Sequence, residues 1–191
     1  MKIKKGNAGY IEVRKKATIL KCVLEFGIVI ALLALGIWQT ETRLNMLTMV
    51  AILGCLPASK ALVEVIMIVP HHSIEKNVAD EIAGKTELLT TVYDLVLTSE
   101  KNIMPIDCIV ISGNTIYGYT SNKKTDIAFA AKHIRQILSA NKFSKLNIKI
   151  FDAYNAFISR AEGLNNIAAI EKEDTKEQEE TIRQVILNIS L

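Results

Sequence analysis

Two apolar runs separated by a short polar turn constrain this chain more than any other feature. Residues 22–39, CVLEFGIVIALLALGIWQ, can cross the hydrocarbon core of a bilayer as a helix, which takes about 20 mostly apolar residues. A second run begins at Leu44 and reaches Val69, interrupted by Pro57, Lys60 and Glu64. Lipid offers no partner to a peptide group, so a chain entering it must satisfy its own backbone, and helices do so within one segment. The short turn predicts an antiparallel helical hairpin over residues 22–69. Trp38 stands at the far end of the first run, where an indole ring suits the interface.

Charge gives the hairpin a direction. Residues 1–21 carry Lys2, Lys4, Lys5, Arg14, Lys15, Lys16 and Lys21 against Glu12, whereas the turn holds only Arg43 as a cation. Cationic flanks stay on the cytoplasmic side. The expected location is therefore the inner (cytoplasmic) membrane of a bacterial-type cell, with both termini cytoplasmic and membrane lipid as the first partner. A basic start followed by an apolar run also describes a signal peptide, but the long basic region and the second apolar run favour a retained hairpin.

Charges inside the runs need an account. Glu25 lies about one turn inside the first helix and Lys60 near the exit of the second, so antiparallel helices predict a Glu25–Lys60 pair that lowers the cost of both. The functional alternative is a transport assembly in which Glu25, Lys60 and Glu64 mark an ion path. Residues 61–69 either continue the helix or lie on the membrane surface, and Pro70 ends them. The adjacent His71 and His72 point in different directions and predict no chelating pair. Cys22, Cys55 and Cys108 show no C-x-x-C spacing and read as free, buried thiols.

The rest of the 191 residues has room for one ordinary domain, 70–154, and a helical segment, 155–191. Ile74, Val78 and Ile82 recur at helical spacing between Ser73, a good N-cap, and Gly84, a good stop. ELLTTVYDLVLTS alternates in part (Leu89, Thr91, Tyr93, Leu95, Leu97) and predicts a strand. IDCIVIS and TIYGYTS predict two more, joined by Gly113-Asn114 as a tight turn. Ile127, Ala130, Ala131, Ile134, Ile137 and Leu138 then form one helical stripe behind Asp126, and KLNIKIF predicts a fourth strand. The order helix, strand, strand, strand, helix, strand predicts an α/β sandwich with a mixed sheet. AFISRAEGLNNIAAI has helical spacing despite Gly163. Ile182, Val185, Ile186 and Ile189 make a stripe in the last helix, although VILNISL also suits a short strand. The acids of EKEDTKEQEE gather at that helix's N-terminal end, where its dipole favours them.

IDCIVISGNTIYGY, together with this element order over residues 73–152, is similar to the restriction-endonuclease-like superfamily, in particular its nuclease-related (NERD) branch. In that family an Asp on the first hairpin strand and a Glu-x-Lys on the next bind a divalent metal and orient the attacking water. The resemblance implies Asp107 at the first position, as a candidate catalytic and metal-binding residue. It puts Tyr119-Thr120-Ser121 in the Glu-x-Lys register, with neither carboxylate nor lysine, and one carboxylate alone is a poor Mg²⁺ site. Glu75 or Glu81 on the preceding helix could add an acid but would not complete that set. The alternative to a metal role is that Asp107 is a hydrogen-bonding strand residue.

No glycine-rich phosphate loop, nucleophile elbow or Cys/His cluster supplies other chemistry. Lys123, Lys124, Lys132, His133, Arg135, Lys142, Lys145 and Lys149 give the domain a basic flank, which reads first as solvated charge and otherwise as a surface for anionic lipid or nucleic acid. The combined expectation is a membrane-anchored, non-catalytic cytoplasmic α/β interaction domain. It needs no cofactor, and its partner is a protein or a second copy reached through the hairpin or the C-terminal helix. Nucleic acid is not an expected partner. A metal-dependent nuclease-like enzyme and a transport subunit are the alternatives.

Overall fold

The computed structural model describes residues 3–40, 46–99, 102–143, 145–171 and 175–191. The expected turn cation Arg43 and three residues of the acidic run, 172–174, lie outside the described residues. The chain divides into two compact units: residues 11–72, and the described residues up to Tyr10 together with 73–191.

The first unit is built from α1 (Tyr10–Thr40) and α2 (Met46–Ile68). At 1.5 Å per residue, the 31 residues of α1 reach about 46 Å, well beyond a hydrocarbon core of about 30 Å. The helix starts twelve residues before the expected boundary at Cys22, and its extra turns carry Arg14, Lys15 and Lys16. The buried positions of α1 are Ile11, Thr18, Cys22, Val29 and Gly36, spaced by sevens and a four. Those of α2 are Ala51, Ala58, Ala61 and Ile68. Small residues on α2 let the backbones come close, and a Cβ on Gly54 would stand 3.2 Å from Val29 Cγ2. Pro57 does not interrupt α2, which continues through residues 61–68 as a helix. Outside this seam the apolar side chains are exposed or half-buried. Only 17% and 22% of the most apolar stretches of α1 and α2 are buried.

The second unit follows the order α3 (Lys76–Lys85), β1 (Thr90–Thr98), β2 (Ile103–Ser112), β3 (Thr115–Tyr119), α4 (Ile127–Ala140), β4 (Asn147–Phe151), α5 (Tyr154–Glu171) and α6 (Lys176–Asn188). The four strands form one sheet in sequence order. The first two pairings are antiparallel and β3–β4 is parallel, because α4 carries the chain back across the sheet. Gly113 takes the left-handed conformation at φ 50° that the two-residue β2–β3 turn requires. One core lies between the sheet and α4 and α6, the other between the sheet and α3 and α5. The C-terminal segment is thus two helices packed on the same sheet and not an appended piece. Its end is helical to Asn188, with a single bridge from Ser190 to Leu97.

Helix α3 is capped differently from the expectation. Its N-cap is Glu75, without a side-chain cap bond, and it runs through Gly84 to Lys85. Asp126 caps α4, its carboxylate accepting from the Phe129 N–H at 2.9 Å.

Residues 3–9 do not form a separate basic arm. The Tyr93 N–H donates to the Gly6 carbonyl at 2.8 Å, and Lys5 Nζ donates to the Ser190 carbonyl at 2.6 Å. From the other terminus the Leu191 N–H donates to the Val96 carbonyl at 2.9 Å. The free edge of β1 is therefore covered by both ends of the chain, which satisfies groups that an open edge would offer to another strand. Gly6 sits at φ 90°, and a Cβ there would lie 3.0 Å from Leu187 Cδ2 and 3.2 Å from Val92 Cγ1. Gly6→Ala is expected to destabilise this unit by about 2 kcal/mol through strain and crowding. Thermal unfolding of the full chain in detergent micelles, followed by near-ultraviolet circular dichroism, reads this as a lower midpoint.

Candidate functional site: two facing aspartates at a break in the sheet

Asp107 lies in the middle of β2, not at its start, because the strand begins at Ile103. Its Oδ2 accepts from the Ser121 N–H at 2.6 Å, and the Thr120 hydroxyl donates to the Pro105 carbonyl at 2.8 Å. Two bonds thus fasten the chain leaving β3 to the middle of β2. The structure brings together Asp107 and the Tyr119–Ser121 stretch singled out with it.

The residue missing from the sequence-based reading is Asp94. Pairing of Tyr93 with Cys108 and of Leu95 with Ile106 places Asp94 directly opposite Asp107 on β1. Asp94 is 3% exposed and adopts φ 55°, a left-handed conformation that Asp tolerates better than bulkier residues. This inverts the pleat. Tyr93 and Cys108 join the core under α3 and α5, whereas Leu95 and Ile106 join the core under α4 and α6. In a uniform strand, residues two apart share a face. Both strands change face at the same rung, so the pairing register survives.

Asp94 Oδ1 accepts from the Ile74 N–H at 2.9 Å and so anchors the segment entering α3. Its Oδ2 is buried without a hydrogen-bond partner among the described residues. Burial pushes the Asp107 carboxyl above its ordinary range; the Ser121 donors offset part of that push, and the charge of Asp94 adds to it. The neighbouring Cys108 thiol is pushed up by its own burial and then by both aspartates, which makes it an inert thiol at neutral pH.

A raised carboxyl binds its proton more tightly in the folded than in the unfolded chain. Its contribution is therefore fully present at low pH and is lost as pH climbs from the ordinary carboxylate value through the raised one. Asp107→Asn keeps an acceptor for Ser121 but removes the charge. The variant should match wild type below the carboxylate range and exceed it in stability at neutral pH, as read from urea midpoints measured across pH.

These donors do not fit a divalent metal. One oxygen of each aspartate is already engaged by a backbone N–H, β3 offers no carboxylate, and Glu81 pairs with Lys85 at 3.1 Å. No group of three or more His, Cys, Asp or Glu able to hold a metal occurs among the described residues. A hard cation needs more oxygen ligands than this rung supplies.

A second polar centre, also missed from sequence, is Glu179 on α6. Its side chain is 3% exposed. Oε1 accepts from the Gly113 N–H (2.9 Å) and the Thr175 hydroxyl (2.8 Å); Oε2 accepts from the Thr90 hydroxyl (2.6 Å) and Lys176 Nζ (3.2 Å). Burial alone would raise its pKa, but the four donors together hold the carboxyl below its ordinary range. Beside it opens a groove of about 790 Å³. Leu88, Tyr117, Leu164 and Ile167 form its apolar side, and Gly113, Thr175 and Lys176 its polar side.

In the helical unit the expected Glu25–Lys60 pair is replaced by another arrangement. Lys21, one turn before Glu25 on α1, lies 3.9 Å from both Glu25 and Glu64, whereas Lys60 faces outward with no acidic partner among the described residues. The i,i+4 spacing favours Lys21 for Glu25, and the antiparallel register brings Glu64 to the same lysine. Oε2 of Glu25 is buried and without a hydrogen-bond partner among the described residues. His72 Nδ1 approaches Glu12 at 3.7 Å. Cys22 and Cys108 are buried, as expected for inert thiols, but Cys55 is exposed on α2. No protein-family model, no curated protein and no solved structure matches this chain.

Proposed function

We propose that this chain is a membrane-anchored binding protein: α1 and α2 cross the bilayer as a hairpin, and the α/β unit serves as a non-catalytic interaction domain on the cytoplasmic side. The observation that carries the reading is the hairpin's uncovered apolar surface, with Leu20 67%, Leu56 71% and Trp38 84% exposed. Monomeric soluble proteins do not leave contiguous surfaces of this kind in water. The hairpin is also flanked on both sides by pieces of one domain, residues 3–9 and 73–191, which supports a hairpin that leaves and returns on one side of the membrane. A cleaved signal sequence would detach residues 3–9 from the sheet edge that they cover.

The non-catalytic part of the reading rests on the donor set around Asp107, which offers an acceptor already used by Ser121 and no complete metal site. Expressed full chain should stay with membranes through alkaline carbonate washing. Trypsin should reach its lysines in inside-out vesicles and not in right-side-out ones. Release by carbonate would defeat the anchor. Magnesium-dependent cleavage of DNA or RNA by the purified chain, abolished in Asp107→Ala, would defeat the non-catalytic reading and install a nuclease-like one.

A further inference from the structure

We propose that the flank formed by α4 and β4 docks onto anionic lipid headgroups; this rests on the membrane-anchored reading and adds a surface and a ligand chemistry to it. Between Ile127 and Phe151 the chain holds Lys132, Arg135, Lys142, Lys145 and Lys149 and not one Asp or Glu. Twenty-five consecutive residues without an acid depart from the mixed charge of the rest of the domain, where Lys85, Lys176 and Arg183 each pair with a neighbouring carboxylate. All five flank cations are exposed, and none has an acidic side chain within 4.0 Å among the described residues.

The fold gathers Lys132, Arg135, Lys142 and Lys145 on α4 and the loop that follows it, whereas Lys149 alternates to the other face of β4, its Nζ 5.0 Å from the Phe151 ring centroid. Helix α4 packs against β4, the last strand of the sheet, and the residues between them turn through left-handed conformations at Lys142 (φ 71°) and Lys145 (φ 65°). Helix α6, which carries Glu177, Glu179 and Glu180, packs on β1 and β2, and Glu179 is engaged by Thr90 and the Gly113 N–H. The cations of α4 and of the loop after it lie on the β4 side of the sheet. The same flank exposes an aromatic ring: Phe129 is 36% exposed and stacks on His133, one turn along α4, at 6.3 Å and 6° between planes.

Exposed lysines and arginine beside an exposed phenylalanine form the composition that interfacial helices use, the cations meeting headgroup phosphates and the ring entering the acyl boundary. Single-stranded nucleic acid is bound by the same side-chain types. The bilayer is the favoured polyanion because the chain carries its own apolar hairpin, which holds the domain within reach of lipid at high effective concentration.

The test uses the full chain in nanodiscs, with Cys55→Ser and Gln136→Cys so that a fluorophore sits on the exposed face of α4. The discs contain headgroup-nitroxide lipid in either phosphatidylcholine alone or phosphatidylcholine mixed with phosphatidylglycerol. Quenching should be markedly stronger in the anionic discs, and it should fall to the phosphatidylcholine level at high salt and in Lys132→Glu/Arg135→Glu/Lys142→Glu. The salt series on the unreversed chain keeps the test decisive if the triple variant folds poorly. Recovery of the chain in the disc fraction reports the anchor separately. An anchored chain with equal quenching in the two lipids overturns the docking surface and leaves the anchor standing. A chain absent from both disc fractions overturns the anchor and this proposal with it. Loss of the quenching difference on adding an RNA oligonucleotide, with the oligonucleotide bound, assigns the flank to nucleic acid and also overturns the proposal.

Discussion

Glu179→Ala is expected to destabilise the α/β unit by about 3 kcal/mol, measured as the loss in urea unfolding free energy of the full chain at neutral pH. The carboxylate accepts four hydrogen bonds from three parts of the fold: Thr90 at the start of β1, Gly113 in the β2–β3 turn, and Thr175 and Lys176 at the start of α6. Hydrogen bonds to a charged acceptor contribute more than neutral ones, and their removal takes from the Gly113 N–H and the Thr90 hydroxyl the acceptor that they share. Glu179→Gln should fall between wild type and alanine, because the amide keeps one acceptor and presents donors where Oε2 had been. The contribution also depends on pH. A carboxyl held below its ordinary range stabilises fully above the unfolded value and loses that contribution as pH falls through the folded one. The gap between wild type and Glu179→Ala should therefore narrow in acid.

The largest core effect belongs to Phe157. It is fully buried on α5, stacks with Tyr119 at 5.6 Å between centroids, and lies 6.4 Å from Phe151. Phe157→Ala removes the ring and leaves its neighbours facing a cavity. Large-to-small changes of this type cost about 4 kcal/mol, and the loss of aromatic contacts places this one toward the upper end. Phe157→Leu should recover about half, since most of the volume returns without the ring geometry. Differential scanning calorimetry of the three chains in the same detergent separates these outcomes by their midpoints. An alanine variant within a few tenths of a kcal/mol of wild type would mean that α5 is not packed on the sheet.

What could be read in advance follows the range of the forces involved. The stripe Ile182, Val185, Ile186 and Ile189 on α6 was visible because helical periodicity is a local property. Ile182 and Ile186 are buried and the other two pack against the same core. The Asp94–Asp107 rung was invisible for the opposite reason. An alternation drawn through Leu89, Tyr93, Leu95 and Leu97 treats the strand as uniform, whereas the left-handed residue between Tyr93 and Leu95 sends them to different cores. One signal was available: an aspartate inside an otherwise β-branched and aromatic strand, a residue that tolerates the left-handed region and is uncommon in a buried ladder. Ser73 was the better N-cap by residue type, yet Asp94 draws the Ile74 N–H to itself and the helix begins later. The Glu25–Lys60 pair failed because depth alone was used to match partners; helix register gives Lys21 to both acids.

The cover on the edge of β1 bears on the order of assembly. Gly6 meets Tyr93 across the whole hairpin, and Lys5 meets Ser190, a closure of 185 residues. Residues 5 and 6, made before the hairpin, therefore have no place to rest until β1 and the last turns of α6 exist. In the meantime the hairpin is already long and apolar enough to enter lipid. Closure therefore comes after both apolar helices are made, and the two distant halves of the domain meet only when its final edge is formed. A fragment beginning at Ser73 would keep the Leu191–Val96 bond but lose the cover of Gly6 over Tyr93, so it should self-associate in solution more readily than the full chain.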